Sequence, residues 1–148
     1  MLDGRERMPS TGAQRKMNKI RAGNDAADLL ALYSPEVRAL ALAARAFVLK
    51  MIPDVSEMVD LKARIIGFGY SPRYADQVCM LMPTKVGVNL GIAYAMELPD
   101  PKKILAGTGK LHRHVKLASE SDLENAALRN LLKAALGRRE RLKLTPKK

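Results

Sequence analysis

One cysteine, no tryptophan, two phenylalanines and four tyrosines stand in a chain of 148 residues. The solitary thiol, Cys79, can form neither an internal disulfide nor a multi-cysteine zinc site, which excludes zinc-finger chemistry and fits a reducing compartment. So few aromatic rings leave little to stack on nucleobases, and sequence-specific single-strand recognition is not expected. Long apolar runs are lacking as well. The longest, residues 39–51, is interrupted by Arg45 and Lys50 and is too short and too charged to span a bilayer, so no membrane association is expected. Residues 1–24 mix Arg5, Glu6, Arg7, Arg15 and Lys16 without an apolar signal-peptide core, so a cytoplasmic location is expected. No Ser-His-Asp order and no nucleophile elbow stands out, which disfavours an enzyme of those classes.

Acidic residues are scarce relative to basic ones, and the formal net charge is +11. Such an excess attracts phosphates through counterion release, but its placement matters. Residues 1–24 hold six Lys/Arg against two Asp/Glu, and residues 137–148 hold six against one. The stretch 25–136, with fourteen basic and twelve acidic residues, has the mixed charge of an ordinary domain surface. The chain therefore divides into a flexible basic N-terminal arm (1–24), one domain (25–136) and a basic C-terminal tail (137–148). Any nucleic-acid contact is expected to be weak, nonspecific and confined to the two tails.

Within the domain, Ser34-Pro35-Glu36 is a helix start: a hydroxyl cap, a proline preset for the first turn and an acid near the positive dipole end. Val37, Leu40, Ala41, Ala44, Phe47, Val48 and Met51 follow at three- and four-residue steps, and Pro53 stops the helix. From residue 55 onward the period falls toward two and glycines or prolines punctuate the runs. Strands are expected at 56–62, 64–70, 77–82 and 85–93. Asp100-Pro101 is expected to open a short helix closed by Gly107, before a fifth strand at 111–117. A capping box of Ser121 and Glu124 would start a second long helix, with Leu123, Ala127, Leu131 and Ala134 on its buried stripe and Gly137 at its end. Strands grouped between helices indicate an α+β fold, with two long helices on one face of a largely antiparallel five- or six-stranded sheet.

The most specific segment is Leu98-Pro99-Asp100-Pro101-Lys102-Lys103-Ile104-Leu105-Ala106-Gly107-Thr108-Gly109-Lys110, running on into His112-Arg113-His114-Val115-Lys116-Leu117. With the preceding Val88-Asn89-Leu90-Gly91 and the following 122–136 helix, it resembles the YdhG-like family, a domain family of unknown function. The resemblance implies a compact frataxin-like fold and, for some members, intracellular iron carriage. Ligands for iron would here be Glu57 and Asp60 with His112 and His114. Those acids sit beside Lys62 and Arg64, and the first helix region sets Arg38, Arg45 and Lys50 against Asp25, Asp28 and Glu36, whereas iron favours oxygen-rich clusters, so iron carriage ranks second and no cofactor is otherwise required.

Gly107-Thr108-Gly109-Lys110 can turn backbone N–H groups and an ammonium toward an anion, although its spacing and its exit into a strand differ from a P-loop and equally suit a helix cap. His112 and His114, two apart in a strand, share a face with Lys110 and Lys116. These residues make a small anionic ligand, or else a protein partner, the leading expectation for a non-enzymatic binding module. Arg113 points to the opposite face, where burial would require an ion pair with Asp100 or Glu57. Cys79 reads as a small buried hydrophobe and Met51, Met58, Met80, Met82 and Met96 as core filler. Tyr70 and Tyr74, bracketing Pro72 and Arg73, could rim a small pocket.

Overall fold

In the computed structural model, residues 18–19, 24–107 and 112–144 are described. The first long helix forms where its signals stand. Ser34 Oγ accepts the Val37 N–H at 3.2 Å, Pro35 occupies the first turn, and the helix ends at Ile52, whose N–H still reaches Val48 O. This helix, α2 (Pro35–Met51), is preceded by a short α1 (Asn24–Leu30) and followed, far along the chain, by α3 (Ala126–Leu144). Between α2 and α3 run β2 (Ser56–Asp60), β3 (Ile65–Gly69), β4 (Gln77–Pro83), β5 (Val88–Ala93) and β6 (His112–Leu117), and a two-residue β1 (Asn18–Lys19) adds to the β2 edge.

All six strands pair antiparallel in chain order, a simple meander. Register sorts their side chains. Val59, Ile66, Leu81, Leu90 and Val115 stand opposite one another across β2 to β6 and face α2 and α3. They join Val37, Leu40, Ala44 and Val48 from α2 and Leu128, Leu131, Leu132 and Ala135 from α3 in one core. The α+β architecture with an antiparallel sheet is thus as the periodicity indicates. The structure adds β1 and α1 within and beside the region read as a flexible arm, because pairing to β2 and the Arg38 side chain hold them. Arg38 donates to Leu30 O and Tyr33 O at 3.2 and 2.9 Å, closing the C-terminus of α1.

Two other expectations are corrected. Residues 101–105 are not a helix. The Asp100 carboxylate accepts the backbone N–H groups of Ile104 and Leu105 at 3.0 and 3.1 Å, and Lys103 takes a positive φ of 54°, so the segment is a side-chain-stabilised loop. Gly107 does adopt positive φ, 99°, but in that loop rather than as a helix cap. The second correction concerns α3. Asp122, not Glu124, reaches back, accepting the N–H groups of Ala118 and Ser119 at 2.7 and 3.1 Å. That closes a 3-10 turn, and Asn125 caps α3 by accepting the Ala127 N–H at 2.9 Å.

Nor does Gly137 end the helix, which continues to Leu144 and so enters the region read as a tail. Arg138, just beyond the glycine, stacks 3.9 Å over the Tyr94 ring and donates to Glu97 Oε1 at 2.6 Å. These contacts offset the roughly 1 kcal/mol that a mid-helix glycine costs. The capping assignment has a direct check. Asn125→Ala is expected to lower stability by about 1 kcal/mol in urea unfolding, whereas Ser121→Ala should change it by less than about 0.5 kcal/mol. Equal losses would restore the Ser121 box.

Candidate functional site

Side chains that alternate away from the helices form the second face of the sheet. Directly opposed across it run Met58, Gly67, Met80, Gly91 and His114, one from each of β2 to β6. Met58 and Met80 are buried on this face, separate from the helix-side core. Over β4 to β6 the face carries a groove of about 380 Å³ lined by Tyr74, Met80, Met82, Gly91, Arg113 and His114. That volume lies in the range of small-molecule sites, which are mostly apolar with a few placed polar groups.

Each wall has a local cause. Met80 and Met82 are two apart in β4 and so share a face. Tyr74 comes from the 3-10 turn Tyr74–Asp76, and its hydroxyl donates to Asp60 Oδ2 at 2.6 Å. That turn is braced in turn: Ser71 Oγ lies 2.5 Å from Asp76 Oδ2, and Gln77 donates to Ser71 O and Arg73 O. Gly69 permits the close approach, since a Cβ there would stand 2.5 Å from Asp76 O. The floor is Gly91, with no side chain of its own. At the far wall, Ala106 bridges to the outer edge of β6, its N–H reaching His114 O at 2.6 Å while the His114 N–H reaches Ala106 O at 3.1 Å. Gly107 thereby lies against the imidazole, and a Cβ on it would be 3.5 Å from His114 Cε1 and Nδ1.

Of the predicted ligand residues, the structure therefore joins Gly107 and His114. Thr108, Gly109 and Lys110 lie outside the described residues, and of His112 only the backbone is described, paired with Ala93 on the same face as His114. The iron set is not brought together. Glu57 faces the helices, where Arg45 Nε donates to both its carboxylate oxygens at 2.8 and 2.7 Å; Asp60 faces the other way and also accepts the Ala63 N–H. The hydrogen bond to Glu57 raises the Arg45 pKa above its ordinary value, against the opposing effect of burial. His114 stands on β6, four strand spacings from β2, or about 19 Å. Among the described residues no three His, Cys, Asp or Glu side chains come close enough to hold a metal together.

Arg113 is half-buried, but its expected pairing with Glu57 is corrected by register. Glu57, Phe68, Cys79, Ile92 and Arg113 form one cross-sheet row, with the acid and the base at opposite ends. The other candidate, Asp100, accepts the loop N–H groups already described, and a carboxylate has lone pairs left for a guanidinium besides. Arg113 is among the residues lining the groove, while its row sets its side chain on the helix side of the sheet. Cys79 is wholly buried, and desolvation pushes its thiol pKa up, as fits a core hydrophobe and not a nucleophile.

Comparison with family models, with curated proteins and with solved structures finds no match to this chain. The groove must therefore be read from its own chemistry. Its floor and thioether wall went unread in the sequence, where Met80 and Met82 counted as core filler. Met80-Leu81-Met82 does announce two methionines on one strand face, but only strand register sets Gly91 and His114 beside them. Of the two tyrosines beside the turn, Tyr74 rims the groove while the Tyr70 hydroxyl donates to Pro53 O instead, and Met96 is exposed rather than core. No helix among the described residues is long and apolar enough to cross a membrane.

Proposed function

We propose that the chain is a non-enzymatic, cytosolic binding module of the YdhG-like kind, with a frataxin-like arrangement of helices on a sheet, and that its ligand site is the groove on the helix-free face. One observation carries the reading: a 380 Å³ groove of apolar floor and thioether wall has His114 and Arg113 on its lining. A small ligand with an anionic group fits that polarity, because a protonated imidazole is a donor suited to a carboxylate or phosphate. The buried Cys79 thiol is held neutral and so is not poised as a nucleophile.

The test is an NMR titration of the whole protein with inorganic phosphate and then with phosphate-bearing metabolites. Backbone resonances of Gly91, Gly107 and His114 are expected to move with saturation. His114→Ala should weaken the binding at least about tenfold, the equivalent of losing a hydrogen bond to a charged group. Resonances that stay fixed at millimolar ligand would remove the anionic reading.

A further inference from the structure

Packing alone does not require the pattern on the helix-free face. Methionine and glycine alternate along the row Met58, Gly67, Met80, Gly91, and the row ends on His114. A glycine between two long side chains leaves room for both to lean over it. At Gly91 this room is used: a Cβ built there would stand 2.8 Å from Met82 Cε and 3.9 Å from Met80 Cγ. The side chains of Met80 and Met82 thus both pack at the Gly91 position. Directly opposite Gly91 on the next strand is His114, whose side chain lines the same groove. Leucines would fill this volume equally well, but they would not offer thioether sulfur to the groove that His114 also lines.

We propose that Met80, Met82 and His114 form a binding site for a soft monovalent cation, Cu(I). Thioether sulfur is a ligand that selects Cu(I), and imidazole accepts copper as well. Harder ions find little here. No described trio of His, Cys, Asp or Glu exists, and Asp60, on the same sheet face, is bonded to the Tyr74 hydroxyl and the Ala63 N–H. Charge selects in the same direction. Arg113 is among the residues lining the groove, and Coulomb repulsion of a monovalent ion is half that of a divalent one at equal distance. Methionine side chains, unbranched and flexible, can swing to close around an ion and release it again. This site does not depend on the anionic reading above, since its ligands are the thioether wall, although both would engage His114.

The experiment is anaerobic titration of the full chain with Cu(I) in competition with bicinchoninate, paired with Ag(I) as a redox-inert probe followed through methionine methyl resonances. One equivalent is expected to bind, with the methyl signals of Met80 and Met82 shifting together. Met80→Leu with Met82→Leu keeps the volume, so the melting temperature should hold within a few degrees. The affinity should fall by more than the roughly tenfold that loss of even an outer-shell partner costs. Cys79→Ala, on the opposite face, should bind as the parent does. Undiminished affinity in the double leucine variant, shifts confined to Met1, Met8 or Met17, or binding lost with Cys79 instead would each overturn the site. Copper binding without any phosphate response would remove the anionic reading and leave this one, and the reverse outcome would remove the copper site alone.

Discussion

Phe68→Ala is expected to lower the free energy of unfolding by about 3–5 kcal/mol, as large-to-small replacement of a fully buried aromatic does. Phe68 has no exposed surface and heads the described side chains of that kind by volume. It sits mid-sheet in β3, between Glu57 on β2 and Cys79 on β4, with its ring on the helix side. Its neighbours cannot easily collapse into the gap. The Arg45–Glu57 pair fixes one flank, and the irregular register after Phe68 locks the strand against sliding. Against a total of roughly 5–15 kcal/mol for an ordinary domain, the loss is a large share. Urea unfolding should show a lower midpoint with an unchanged slope. Met96→Ala, at a side chain 55% exposed, provides the contrast and should stay within about 0.5 kcal/mol. A Phe68→Ala loss below about 1 kcal/mol would mean that the helix-facing row is not the centre of the core.

What was legible in the sequence follows from the range of the interactions involved. The cap, the proline stop and the apolar period of α2 act within a few residues, and so do the period-two runs and turn residues of β2 to β6. Each can be read from a short window. By contrast, α1 is seven residues long and ends on the guanidinium of Arg38, which belongs to the next helix. The two residues of β1 gain their partners only because β2 has a free edge. Gly137 carries the composition of a helix end, yet a cation–π contact and an ion pair reaching back to Tyr94 and Glu97 carry α3 past it. Asp100 has the composition of a helix cap, yet it satisfies two loop N–H groups by itself.

The site divides along the same line. That His112 and His114 share a strand face is a local property, and Gly107's positive φ is a property glycine advertises. That Gly107 lies against His114 depends on the isolated Ala106 bridge. That Glu57 and Arg113 stand at opposite ends of one row depends on four successive registers. A one-residue slip of β4 against its neighbours would transfer Met80 and Met82 to the core and bring Leu81 to the groove. The groove is therefore a product of the meander as a whole and has no signature in any single stretch.

Cys79 supplies the second large effect, on the response of stability to alkali. In the unfolded chain its thiol should ionise near the ordinary value of 9.0, whereas burial in the folded core pushes the pKa well above that. Below pH 9 both states carry the proton and the thiol contributes no pH dependence. Above it the unfolded chain loses a proton that the folded protein keeps, so folding is progressively disfavoured by about 1.4 kcal/mol per pH unit. By pH 11 the contribution should reach roughly 2.7 kcal/mol. Lysine and tyrosine titrations overlap this range, which is why the comparison must be with Cys79→Ala. The parent's stability, measured by urea unfolding from pH 8 to 11, should fall more steeply than the variant's by the stated slope. At neutral pH the variant should be the less stable of the two, because a buried sulfur has been removed beside Phe68 and Ile92. The two curves should therefore converge as the pH rises. Parallel curves would show that the folded thiol ionises like the unfolded one, and that the centre of β4 is open to water.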